Sequence, residues 1–190
     1  MYYIKSGVIR KYIFITVLLL IFTFAWNNST AAVNPLDGNV KELMIDLQNP
    51  FLDDSMDLIS SAGNKEIGIP LTLFIPGEKA KIDTFKALAF TGAVTFSLKY
   101  LIGRTRPSES EYDYKPFTDS NSSFPSGHAT GAFALATVME EYYPEYKYYF
   151  YTFASLVAFS RVYKDRHWTS DVLAGAAVGH YGAKFTLYKW

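Results

Sequence analysis

Five uncharged apolar runs, over residues 67–77, 87–98, 129–139, 148–160 and 172–183, each 11 to 13 residues long, constrain this chain most. None shows the strict alternation of a half-buried strand, and no internal repeat is present. The fold class is therefore all-α. Helices are expected over about 82–102, closed by Gly103, over 128–143, stopped by Pro144, and over 146–163 and 170–188. Val40, Leu43, Met44 and Leu47 have helical spacing, broken at Asn49-Pro50; Asp53 or Asp54 could cap another helix carrying Met56, Leu58 and Ile59 and ended by Gly63. Together these predict a bundle of about six helices. A membrane span needs roughly 20 apolar residues. The runs are nearer to buried core helices, and a mean hydropathy of +0.04 agrees, so the bundle is expected to be soluble or only membrane-associated. Charges held at helix ends for chemistry would, however, shorten such runs.

Charge is distributed unevenly. Lys5, Arg10 and Lys11 are the only charges before Asp37, and they precede an apolar run over 12–26 and small residues at 29–32. Residues 1–32 read as an export signal, with Ser29/Ala31 or Thr30/Ala32 as cleavage pairs, or as a retained membrane anchor. Both readings place residues 33–190 outside the cytoplasm, periplasmic or membrane-associated, because the positive charges stay inside. Those residues carry 15 basic against 18 acidic side chains without a long basic patch, which excludes a nucleic-acid partner. There is no cysteine, so disulfides, thiolate nucleophiles and cysteine metal sites are excluded. The acidic cluster Asp53, Asp54 and Asp57 reads as a solvated helix face rather than a metal site.

Three blocks carry chemistry: 99–107 (KYLIGRTRP), 125–128 (PSGH) and 160–171 (SRVYKDRHWTSD). They supply three cations (Lys99, Arg106, Arg161), a helix start at Ser126-Gly127 suited to an anion, two histidines (His128, His167) and a carboxylate (Asp171). His167 and Asp171 are four apart, which on one helical face lets the carboxylate reach a ring nitrogen. The set suits phosphoryl transfer, in which a phosphate needs several donors on its oxygens, a nucleophile in line, and an acid for the leaving oxygen. Arg104, Lys164 and Arg166 read as solvated charges outside the site. His180 reads as a packing or surface residue.

These blocks resemble the type 2 phosphatidic acid phosphatase superfamily, which shares its site with bacterial class A acid phosphatases and vanadium haloperoxidases. The patterns K-x6-R-P, P-S-G-H and S-R-x5-H-x3-D are matched without gap or substitution, and the resemblance spans roughly residues 49–179. It implies an all-α bundle with a phosphatase site that uses no cofactor and no metal. It further implies His167 as the nucleophile that becomes a phosphohistidine, Asp171 as its orienting partner, and His128 as acid and then base. Lys99, Arg106 and Arg161, helped by Ser126 and the Gly127 backbone N–H, would bind the phosphate. An exported phosphatase acting on a phosphorylated lipid is the first functional expectation. The alternatives are a soluble acid phosphatase of broad specificity, a vanadate-dependent haloperoxidase, and a binding protein with a dead site.

Overall fold

A computed structural model describes residues 2–28, 33–64, 70, 72–109, 113–117 and 122–187. Seven α-helices run through the described residues: α1 (Tyr2–Asn28), α2 (Pro35–Leu47), α3 (Pro50–Ala62), α4 (Glu78–Ile102), α5 (Gly127–Tyr142), α6 (Lys147–Tyr163) and α7 (Thr169–Leu187). The expected bundle is present. The candidate cleavage pairs at 29–32 lie outside the described residues.

The helix boundaries follow from local chemistry. Both α2 and α3 start at an Asn-Pro pair: the Asn34 side chain accepts from the Asp37 N–H, Asn49 from the Leu52 N–H, and proline sits at the first helical position each time. Helix α4 starts four residues earlier than expected, directly after the Pro76-Gly77 turn, with Glu78 favoured at the positive end of the dipole. It closes at Gly103, whose φ of 65° is left-handed. A Cβ there would come within 2.0 Å of the Lys115 carbonyl oxygen, so the loop after α4 folds back on a position that only glycine fits. Ser126 caps α5, its hydroxyl accepting from the Ala129 N–H.

Helix α7 lies at the centre, against α5, α4 and α1. It meets α5 almost backbone to backbone. A Cβ on Gly175 would stand 2.5 Å from the Ser126 carbonyl oxygen, and one on Gly179 would stand 2.3 Å from that of Thr130. Helix α1 is built into the same core: Phe14 packs its ring against Phe90 and Phe185, and Ala25 joins Leu98, Ile102, Phe124, Ala174 and Val178. Helices α2 and α3 lie across one end, held through Met44, Met56 and Tyr163 and by the Tyr163 hydroxyl donating to Asp53.

One expectation changes. The apolar runs are buried on one face only. Phe85 and Phe96 on α4, and Tyr148, Tyr149 and Phe153 on α6, are exposed. Helix α4 is long and apolar enough to cross a membrane, and only 28% of its most apolar window is buried. The charges that cut these runs short lie mostly at the helix ends.

The close α5–α7 contact gives a direct test. Gly179→Ala should lower the thermal unfolding midpoint, because overpacking costs about 1–3 kcal/mol. Gly131→Ala, on α5 with nothing within 4 Å of the added Cβ, should leave it level or raise it, since alanine favours helix by about 1 kcal/mol. Equal midpoints for the two variants would contradict the packing described.

Candidate active site

The site forms where the end of α4, the start of α5, the end of α6 and the start of α7 converge beneath α3. Asp171, in the first turn of α7, is fully buried. Its Oδ2 accepts from the Trp168 N–H at 2.9 Å and from the Ser123 hydroxyl, and faces His167 Nδ1 at 3.6 Å. Its Oδ1 accepts from Arg104 at 2.7 Å. His167 is not on the helix, as the four-residue spacing implied. It sits in the bend before α7, where its N–H bonds the Arg161 carbonyl at 3.1 Å, and the pair meets across the helix start. Ser123 stands beside both partners, its Oγ 3.4 Å from His167 Nδ1.

His128, at the second position of α5, places Nε2 at 2.7 Å from Asn64 Oδ1; the carboxamide oxygen accepts, so Nε2–H donates. Lys99 Nζ donates to the Ser122 carbonyl, Arg106 Nη1 to the Arg166 carbonyl at 3.4 Å, and Arg161 Nη1 to the Ser60 hydroxyl. The Arg161 Nε is buried and has no hydrogen-bond partner among the described residues. Ser126 is fully buried, and its hydroxyl faces the helix cap rather than the open site.

The electrostatics tie these residues together. Burial first, then the charges of Arg161, His167, Arg106 and Lys99, lower the His128 pKa to about 3. Burial lowers His167 to about 4 against the pull of Asp171, with Lys99 and Arg106 lowering it further. Burial raises Asp171, but His167, Arg104 and Ser123 outweigh it and hold the carboxyl below its usual range. Both histidines are thus neutral in the resting site. A neutral His167 whose Nδ1 faces a carboxylate presents Nε2 as a nucleophile. The three cations and the α5 start are donors of the kind a tetrahedral oxyanion requires.

Sequence reasoning missed several participants. Arg104 is no solvated charge: it is 2% exposed and bonds both Asp171 and Asp37. Asp37, Ser60, Asn64, Ser123 and Ser170 carried no motif; Ser123 could have been suspected from its place beside Pro125–His128. Lys164 pairs with Asp57, and Arg166 is exposed, as expected. His180 is half-buried and polar-bonded, its Nδ1 3.0 Å from both Thr137 Oγ1 and the Tyr151 hydroxyl. Below Lys99 and His128 opens a cavity of about 630 Å³ between α4, α5 and α6, walled by Leu88, Phe96, Leu135, Phe150, Phe153 and Val157.

Comparison with known proteins finds related sequences and a similar fold. The PAP2 superfamily model matches residues 81–190. A lipid A 1-phosphatase of Porphyromonas gingivalis is 41% identical over 105 residues, covering 53% of this chain and 22% of that one. The phosphatidylglycerophosphatase B of Bacillus subtilis is 27% identical over 169 residues, covering 79% of this chain and 81% of that one. The chain spans less than half the length of the lipid A 1-phosphatases it matches. The crystal structure of Aquifex aeolicus LpxE superposes with a TM-score of 0.70 at 25% identity, over 84% of this chain and 97% of that one.

The lowered histidines predict a pH dependence of folding. The unfolded chain binds protons at His128 and His167 with pKa near 6.5, whereas the folded chain does so only near 3 and 4. Between those values the unfolded state holds more protons, so stability falls as pH drops from about 6.5 toward 4. Thermal midpoints measured across that range should decline. His167→Gln should make the decline shallower; an identical slope would disprove the assignment of a neutral buried ring.

Proposed function

The chain belongs to the PAP2 superfamily, and on that premise we propose that it hydrolyses a phosphomonoester or diphosphate of a lipid through a phosphohistidine. One observation carries the reading: the charges of Lys99 and Arg106 act on both His167 and His128, that of Arg161 on His128, and Lys99 and His128 line a cavity walled by apolar side chains. A phosphate needs the first feature and a lipid tail the second. Lipid phosphates also appear in the names of the relatives, lipid A 1-phosphatase and phosphatidylglycerophosphatase B.

The chemistry runs in two steps. His167 Nε2 attacks phosphorus in line, forming the N–P bond as the P–O bond to the leaving group breaks, while Asp171 stabilises the positive charge developing on the ring. Lys99, Arg106 and Arg161 hold the non-bridging oxygens, and the buried Arg161 Nε is a donor suited to one of them. His128 protonates the leaving oxygen, then takes a proton from the water that attacks the phosphohistidine and releases phosphate. The resting His128 is too weak a base to carry that proton, since burial first and then the charges of Arg161, Arg106 and Lys99 oppose it. A bound phosphate dianion offsets those charges and raises its proton affinity, so the acid is armed by its own substrate.

The body is proposed to be membrane-associated, with α1 retained. Exposed apolar residues on α4 and α6 support contact with lipid, and the burial of Phe14 and Ala25 supports a structural helix rather than a removed leader. Export, with the site on the outer side, rests on Lys5, Arg10 and Lys11 preceding the apolar part of α1.

Full-length protein in detergent should release phosphate with EDTA present. His167→Ala should lower turnover at least about a thousandfold, the scale on which nucleophile loss acts, and full activity in that variant would refute the phosphohistidine. A panel of phosphatidic acid, phosphatidylglycerol phosphate, an isoprenyl diphosphate, lipid A and a soluble monoester should show kcat/KM highest on a lipid. A preference for the soluble monoester would favour the broad-specificity alternative. Carbonate washing should leave the protein in the membrane pellet.

A further inference from the structure

A row of buried charges runs behind the Asp171 carboxylate. Arg104 Nη1 donates to Asp171 Oδ1 and to Ser170 Oγ, each at 2.7 Å, and Nη2 donates to Asp37 Oδ2 at 2.7 Å. Asp37 is not a surface partner. Its Oδ1 accepts from the Ser170 N–H at 2.8 Å, and its Oδ2 also accepts from the Ser170 hydroxyl at 2.6 Å and from Asn34 at 2.8 Å. The side chains of Arg104, Asp37 and Asp171 are 2%, 0% and 0% exposed. The guanidinium lies 5.1 Å over the Trp168 ring. Asp37 belongs to α2, before the segment that the superfamily model matches.

Burying three charges for stability alone is an inefficient device, since desolvation offsets most of the attraction. The arrangement does have a use at the reaction centre. One planar fork bonds two carboxylates, which fixes the Asp171 plane with Oδ2 turned toward His167. The pair of acids and one Arg leaves one net negative charge, available to the ring when it becomes cationic.

Building on the phosphohistidine reading above, we propose that Asp37 and Arg104 are positioning residues: Arg104 aims the Asp171 carboxylate at His167 Nδ1, and Asp37 shares the guanidinium charge so that Asp171 keeps its negative charge for the ring. Helix α2 is thereby part of the active site, although it contributes nothing to the phosphate cradle.

Asp37→Asn removes the charge with little change of shape. Arg104→Lys keeps the charge but loses the fork, and Arg104→Gln loses both. The expected result is a kcat lower by about tenfold to a hundredfold, the scale of a misplaced catalytic group, in Asp37→Asn and Arg104→Gln. Arg104→Lys should recover part of it. Inhibition by inorganic phosphate should stay within about twofold, because the cradle is intact. Nitrogen-15 spectra of histidine-labelled protein give a second readout that needs no turnover, and with only three histidines the rings can be assigned by substitution. Wild-type His167 should be the Nδ1–H tautomer, and Asp37→Asn should shift it toward a mixture. A folded Asp37→Asn or Arg104→Lys protein with wild-type kcat and an unchanged His167 spectrum would overturn the proposal. So would phosphate inhibition, thermal midpoint and kcat collapsing together in both, which would assign the row to stability. If wild-type protein releases no phosphate, or His167→Ala remains active, the functional reading fails, and the spectra alone decide the positioning role.

Discussion

A carboxylate removed from water inside a helical junction must be fully bonded or it protonates. Asp171 meets that demand with donors from three separate segments: Arg104 beyond α4, Ser123 before α5, and the Trp168 backbone before α7. The same three segments carry other candidate site residues. Arg106 lies two residues from Arg104, His128 five from Ser123, and His167 next to Trp168. Satisfying one buried charge therefore brings together residues far apart in the chain. The backbone reinforces it, since the Ser126 N–H donates to the Asp171 carbonyl and the Ser123 N–H to the Arg104 carbonyl.

The molecule is polar in an asymmetric way. Its ionisable core is concentrated at one end of the bundle, under α2 and α3, while the flanks of α4 and α6 expose aromatic and aliphatic side chains. At that end α3 and the bend after it reach two candidate site residues, Ser60 on the helix bonding Arg161 and Asn64 beyond it bonding His128. A ligand seated on the three cations would displace or rearrange such contacts.

Much of this was legible in the sequence because it rests on local rules. Apolar runs without alternation gave helices, Gly103 closed one of them, and three short blocks held the candidate residues that the fold brings near one another, although the third helix is capped by Asn49 rather than by Asp53 or Asp54. What was hidden depends on tertiary neighbours. Arg104 looks like any charge in a loop until Asp37 and Asp171 surround it. Asp37 lies ahead of the helical spacing that begins at Val40 and belongs to no motif. The His167–Asp171 spacing suggested a helical face, but the helix begins two residues after His167, so the partners meet by way of a bend. The apolar runs hid their own exposure, because composition does not reveal which face looks inward.

The backbone contact between α5 and α7 bears on how the two halves of the pocket can vary. At Gly175 and Gly179 the helices touch through main-chain atoms, so the distance between the His128 end of α5 and the Asp171 end of α7 is set without side chains. The cavity wall, formed by α4, α5 and α6, is made largely of apolar side chains. The spacing of the two helix starts and the size of the cavity are thereby mechanically separate. The apolar wall can be resized residue by residue while His128 and Asp171 stay in register.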